Sequence, residues 1–233
     1  SLTAPATGYA VTRDSTGIER RYSTLTAALA AVTDATSNNR RLVVVNGAIT
    51  ETAPVVAKSY VDVFFKAGSI LNCNSTTGGT HGILFNAAVE TKWYTDVSRS
   101  VEIRRNGVMG SGANRVVEMT AGTGIVFEGI VVRNLVTNIN SNRGLNMSGA
   151  VGAKFYNCAF YGAGTANAYG AVVDGDSYFY DCEAYGGDTT LGGSGGVVPC
   201  GWVINQTTTA KTHLFNCIGY GGNAGTSSEA HGF

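Results

Sequence analysis

Apolar residues in this chain come in short runs and short alternations closed by glycine or a small polar residue. Only one stretch carries them at helical spacing. Leu42-Val43-Val44-Val45 ends in Asn46-Gly47, and Tyr60-Val61-Asp62-Val63-Phe64-Phe65 ends before Ala67-Gly68. Runs of β-branched and aromatic residues bounded by turn residues read as strands. In the helical exception Ser23 precedes Thr24, Leu25, Ala28, Leu29 and Val32. An N-cap followed by apolar residues three and four apart predicts one short amphipathic helix over 24–33. Residues 1–22 are polar and read as an irregular lead-in strand or arm.

Further along, the pattern repeats itself. Phe155-Tyr156-Asn157-Cys158-Ala159-Phe160-Tyr161-Gly162 returns as Phe179-Tyr180-Asp181-Cys182-Glu183-Ala184-Tyr185-Gly186, and again as Leu214-Phe215-Asn216-Cys217-Ile218-Gly219-Tyr220-Gly221. The cysteines are 24 and 35 residues apart, a range that suits a solenoid with loops of unequal length. Strand pairs fit the whole chain, with first strands beginning at 42, 82, 116, 145, 171 and 202, several of them introduced by glycine. That layout predicts about six coils of three short strands, the third strand unplaced. The helix would cap the open end, where core and backbone would otherwise be exposed. The chain thus divides into an arm and capping helix over 1–40 and a solenoid over 41–233. Ala230-His231-Gly232-Phe233 matches Thr80-His81-Gly82-Ile83 in kind, so a further coil is expected to begin there, with Ser1 opening an excised or processed segment.

In a parallel solenoid, coils stack at about 4.8 Å and equivalent positions form ladders. Asn157, Asp181 and Asn216 share one position, with Glu128 a weaker match. Asn and Asp tolerate the left-handed backbone of a tight bend. Cys158, Cys182 and Cys217 form the next ladder, expected to be buried thiols, because parallel side chains seldom meet disulfide torsions. Tyr161, Tyr185 and Tyr220 form a third. Facing outward they would offer a stacking strip for sugar rings; facing inward they would be core.

Composition sharpens this picture. Hydrophobic residues make up 44% of the 233 residues and charged residues only 14%, against roughly 25% charged in an average soluble domain, so the surface must be largely Thr, Ser, Asn and Gly. Glycine at 32 against proline at 3 fits frequent tight turns. Net charge is zero, which argues against a nucleic-acid partner held through phosphates. No apolar run approaches the roughly 20 residues of a membrane span. Five cysteines without a Cys-x-x-Cys pair favour neither zinc nor a disulfide framework. Charge is unevenly spread: Arg99, Arg104, Arg105, Arg115, Arg133 and Arg143 crowd the middle, whereas Asp174, Asp176, Asp181, Glu183 and Asp188 lie in a stretch without Lys or Arg.

The Phe-x-Asn-Cys-x-x-Tyr-Gly copies, the glycine-led strands, and Tyr22-Ser23-Thr24-Leu25 leading to Val43-Val44-Val45-Asn46-Gly47 and Thr50-Glu51 resemble the right-handed parallel β-helix of the pectate lyase-like superfamily. The resemblance covers nearly the whole chain and implies an all-β, single-stranded parallel β-helix. That superfamily includes pectin-degrading enzymes, phage tailspikes and bacterial surface proteins; the shared motifs specify architecture and not chemistry.

Glycoside hydrolysis needs two carboxylates across the sugar, and lyases of this fold need acidic calcium ligands plus a base. Asp174, Asp176, Asp181 and Glu183 are the best acid cluster for a catalytic pair. Asp174-Gly175-Asp176 is a turn presenting two carboxylates, the candidate calcium position, and Asp181 and Glu183 alternate onto one face of a strand that continues regularly. The paired-aspartate and His-Gly signatures of polygalacturonases and the Asp-Phe-Ile-Phe-Gly segment of pectin methylesterases are missing, and His81, His213 and His231 fall on different coils. Three readings follow. The first is a non-catalytic segment of an extracellular, cell-surface or virion appendage that contacts polysaccharide or cell-surface glycan, commonly as a homotrimer. The second is a polysaccharide lyase or glycoside hydrolase, and the third a structural surface or matrix protein. An apolar outward stripe on every coil would favour the trimer; an acidic groove flanked by tyrosines would favour the enzyme.

Overall fold

The computed structural model describes residues 8–13, 17–74, 81–106, 114–136, 141–150, 152–163, 166–187, 200–205 and 211–221. Strands are short because every run of alternating residues meets a bend within a few positions, and the chain winds through three sheets of nine, seven and six strands. Each coil gives one strand to the first sheet, one to the second and one to the third. The first coil uses Arg41–Asn46, Ala48–Glu51 and Val55–Val56; the fourth uses Val126–Glu128, Ile130–Asn134 and Ser141–Met147. Six such coils are complete among the described residues, and Thr212–Phe215 with Ile218–Tyr220 open a seventh. Between successive coils the pairings are parallel, as in Val101 with Ile130 and Phe155 with Phe179, and they keep register except for one shift between Ser141 and Arg143. This is a parallel β-helix.

Two expectations about strand layout change. The Phe155 motif is two strands, Ala153–Tyr156 and Ala159–Tyr161, split by the bend at Asn157. The run starting at 42 belongs to the first sheet, whereas those at 82, 116, 145, 171 and 202 belong to the third; the first coil's counterpart there is Val55–Val56.

At the bend between the first and second strands each coil carries one residue with left-handed backbone: Gly47, Gly68, Arg99, Gly129, Asn157, Asp181 and Asn216. The predicted Asn/Asp ladder is therefore real, with φ of 51°, 54° and 50° at Asn157, Asp181 and Asn216, and Asn216 Nδ2 donates to Asp181 Oδ1 at 2.6 Å. In the coil before, the position belongs to Gly129 and not Glu128, because Glu128 pairs with Tyr156. Opposite this bend the second and third sheets approach closely. A Cβ at Gly170 would lie 2.6 Å from the Tyr185 nitrogen and 2.8 Å from the carbonyl oxygens of Phe160 and Gly201. This glycine, expected to introduce a strand, lies inside Ala166–Val173 and lets two sheets touch backbone to backbone.

The core is a column. Val43, Val63, Trp93, Phe127, Phe155, Phe179 and Leu214 follow one another in register on the inward face of the first sheet. Phe155 and Phe179 stack at 4.5 Å, and each fully buried ring of this kind contributes about 2–3 kcal/mol through the hydrophobic effect. None of the five cysteines is in a disulfide; Cys73, Cys158 and Cys182 are buried.

At the N-terminal end, the predicted irregular arm is a hairpin. Tyr9–Arg13 pairs antiparallel with both Glu19–Tyr22 and Arg41–Asn46, extending the first sheet. The helix spans Leu25–Ala31, and its N-cap is Thr24 rather than Ser23, with Thr24 Oγ1 accepting from Ala27 N at 3.1 Å. Leu25, Ala28 and Leu29 face the core. Glu51, buried at the end of a first-coil strand, accepts from Leu25 N at 2.5 Å and from Thr26 Oγ1 at 2.7 Å, while Lys58 Nζ donates to the Leu29 and Val32 carbonyls at the other end. Carboxylate at the N-terminus and ammonium at the C-terminus both complement the helix dipole. Among the described residues no helix is long and apolar enough to cross a membrane.

Candidate functional site

Tyr161, Tyr185 and Tyr220 occupy one register position of the second sheet. The preceding residues Phe160 and Ala184 point inward and are fully buried, so strand alternation turns the tyrosines outward, and Tyr220 is 42% exposed. Their rings stack at 4.3 Å and 4.5 Å with planes within 8°. Neighbouring rings cover one another's faces in such a column, so the solvent meets ring edges. Of the two directions the sequence leaves open, the tyrosines take the outward one, but the strip offers edges where sugar stacking needs faces. Upstream, the same position holds Arg133, Arg104 and Asn72. The Arg133 guanidinium sits 3.9 Å above the Tyr161 ring.

Beside this column lies a charged strap. Arg99, at the left-handed bend of the third coil, reaches Glu183 Oε1 at 2.5 Å and the Asp181 carbonyl at 3.1 Å, three coils away. Tyr185 Oη donates to the other oxygen of Glu183. Burial acts to raise the Glu183 carboxyl, but hydrogen bonds from Tyr185 and Arg99, with the Arg99 charge, outweigh it and hold it below the ordinary glutamate range. Burial, and then the bond to Glu183, push the Tyr185 phenol up. Between the bends and the second sheet a groove of about 330 Å³ is lined by Ser69, Arg99, Glu102, Val131 and Arg133, among others.

The four acidic candidates do not gather into one cluster. Asp174 and Asp176 lie at the turn before Ser177–Tyr180, whereas Asp181 and Glu183 lie beyond that strand. Asp181 and Glu183 share no regular strand, because the chain bends at Asp181. Asp176 Oδ1 accepts from Lys211 N at 2.6 Å, Asp181 Oδ1 from Asn216, and Glu183 from Arg99 and Tyr185. Among the described residues no three His, Cys, Asp or Glu side chains come together as cation ligands would. Asp188 and His231–Phe233 lie outside the described residues.

A second polar centre, which the sequence reading missed, lies on the outward side of the third sheet. Glu118 and Asn146 are register partners there, yet they are only 4% and 5% exposed. Asn146 Nδ2 donates to Glu118 Oε1 at 2.9 Å, Arg115 Nη1 lies 2.7 Å from Glu118 Oε2, and Arg143 donates to Asn146 Oδ1. Tyr169 packs under Arg143, its ring centroid 5.7 Å from the guanidinium carbon. Burial lowers the His81 imidazole below its usual value; the Glu118 charge opposes that, and Arg105 and Arg115 reinforce it. The available signal was the shared apolar-polar-Met pattern of Val117-Glu118-Met119 and Leu145-Asn146-Met147.

The clustered arginines of the sequence thus part company. Arg99, Arg104 and Arg133 face outward along the second sheet, Arg105 is buried inside, and Arg115 and Arg143 join the third-sheet network. Comparison of the chain with protein-family models, with curated proteins and with solved structures found no match.

Proposed function

We propose that this chain is a non-catalytic β-solenoid segment of an extracellular or virion surface appendage, of the pectate lyase-like type, that contacts polysaccharide along its second sheet. The observation that carries this reading is the in-register row Arg104, Arg133, Tyr161, Tyr185 and Tyr220 on one outward face. Guanidinium and phenol groups repeated at about 4.8 Å give a linear polymer hydrogen-bonding partners coil after coil. The test is incubation with acidic and neutral polysaccharides, following pull-down of intact polymer, new reducing ends and absorbance of unsaturated products. Binding without cleavage is the expected result; cleavage overturns the non-catalytic reading.

An appendage of this kind works as a homotrimer if one face of each solenoid is apolar enough to bury. The outward row of the first sheet supports that: Val44, Phe64, Tyr94, Tyr156, Tyr180 and Phe215 are in register, interrupted only by Glu128, which pairs with Lys92 at 2.5 Å. Sedimentation equilibrium decides it.

The enzyme reading has one observation in its favour, the buried Glu118 network. Taking charged side chains out of water is costly, and a carboxylate buried with an arginine and an amide is therefore a place to look for chemistry. If the polysaccharide panel reveals cleavage, loss of turnover in Glu118→Gln with retained folding would place the chemistry on the third sheet, and loss in Asp181→Asn would place it at the bend.

A further inference from the structure

Arg104 and Arg133 are direct partners on neighbouring strands, so two guanidinium groups project from adjacent coils onto the same face. Like charges opposed in this way destabilise a sheet. Their surroundings compensate only in part. Arg133 Nε lies 3.3 Å from Glu102 Oε1, but the hydrogen bond of Arg104 is to a neutral group, from Nε to Asn72 Oδ1 at 2.5 Å. The other carboxylate on this face, Glu183, is held by Arg99 and Tyr185. Three guanidiniums, Arg99, Arg104 and Arg133, therefore stand against two carboxylates, Glu102 and Glu183, along a chain whose net charge is zero.

The geometry favours an acceptor arriving from solvent. Both arginines make their polar contact through Nε, which leaves the Nη groups for a ligand, and Arg133 is steadied by Tyr161 beneath it. A guanidinium presents a planar fork that suits a carboxylate or sulfate oxygen pair. The groove beside Arg133 and Glu102, about 330 Å³, gives room for a sugar ring.

We propose that Arg104 and Arg133 form a subsite for the carboxylate or sulfate groups of an anionic glycan, which then runs along the edges of Tyr161, Tyr185 and Tyr220. This rests on the polysaccharide-contacting reading above and adds the charge of the ligand and the place where that charge is held. The anion removes the repulsion between the paired arginines.

The test measures binding of polygalacturonate and heparin, each against its neutral counterpart made by carboxyl reduction or desulfation, at low and moderate salt. Wild-type protein is expected to bind at least one anionic polymer about tenfold more tightly than the neutral counterpart, with the difference shrinking as salt screens it. Arg104→Gln and Arg133→Gln are each expected to lose about five- to tenfold on that anionic polymer only. Lys66→Gln, an exposed control, should change nothing, and circular dichroism establishes that each variant is folded. Should Arg133→Gln fail to fold, Arg104→Gln alone decides. Equal affinity for charged and neutral forms, or unchanged binding in Arg104→Gln, overturns the subsite while leaving polysaccharide contact standing. Equally tight binding to duplex DNA, lost in the same variants, overturns it in favour of general polyanion attraction. Failure to bind any glycan overturns both readings.

Discussion

Removing the Glu51 carboxylate should detach the helical cap. Glu51 is 2% exposed and serves the helix through Leu25 N at 2.5 Å, Thr26 Oγ1 at 2.7 Å and a longer contact to Thr26 N at 3.4 Å. Hydrogen bonds to a charged partner are worth about 1.5–3 kcal/mol each, and buried donors left without a partner cost about 1–3 kcal/mol. Two good bonds, less the desolvation cost that disappears with the carboxylate, give a loss of about 3–4 kcal/mol for Glu51→Ala. Glu51→Gln keeps one acceptor and should lose about 1–2 kcal/mol. Urea unfolding followed by fluorescence of Trp93, buried in the third coil, measures the global effect. Hydrogen exchange of the Ala28 and Leu29 amides measures the local one, since a solenoid can open at an end before it unfolds as a whole. A double-mutant cycle with Thr26→Val should return a coupling of about 1 kcal/mol or more. A Glu51→Ala variant within about 0.5 kcal/mol of wild type, with the helix amides still protected, would show that Glu51 does not hold the cap.

Two further outcomes follow from the same physics. The Glu183 carboxyl is held below its ordinary range, so its contribution to stability is complete above the unfolded-state pKa of about 4.3 and fades as pH falls through the lower folded value. Melting temperatures measured from pH 6 to 3 should therefore drop less in Glu183→Gln than in wild type, and parallel curves would refute the strap. Gly170→Ala places a methyl against the backbone of two second-sheet strands and of Gly201 and should lose about 3 kcal/mol, the upper end for overpacking; a loss below about 1 kcal/mol in urea unfolding would mean that the second and third sheets separate easily.

Much of the fold was legible because the same local problem recurs once per coil. Each bend needs a residue that accepts left-handed backbone, and Asn157, Asp181 and Asn216 announce it at equivalent places. Earlier coils meet that need with Gly47, Gly68, Gly129 and even Arg99, so the motif fades toward the N-terminus and the strands on either side of each bend run together in the sequence. Ser23 and Thr24 are both competent caps, and only the observed bond to Ala27 N separates them. The tyrosine row was visible as a repeat, but its outward direction depends on where the preceding bend resets the alternation. Arg104 with Arg133, and Glu118 with Asn146, become neighbours only through the register of stacked coils, which no local pattern fixes. The acidic stretch has the converse property: closeness in sequence at 174–183 spans the strand Ser177–Tyr180 and the bend at Asp181.

The hairpin at the N-terminal end gives the stack a direction. Its outer strand, Glu19–Tyr22, carries Glu19, Arg20 and Arg21, all exposed, and charged edges of this kind discourage a further strand from docking. The other side of the first coil presents parallel edges on which the next coil settles, with partners such as Val101 and Ile130 one coil apart in the chain. Each new coil thus closes a loop onto a template already complete, and because closure cost grows only slowly with loop length the unequal coils cost nearly the same. A capped first coil can therefore serve as a seed onto which later coils are laid as the chain leaves the ribosome.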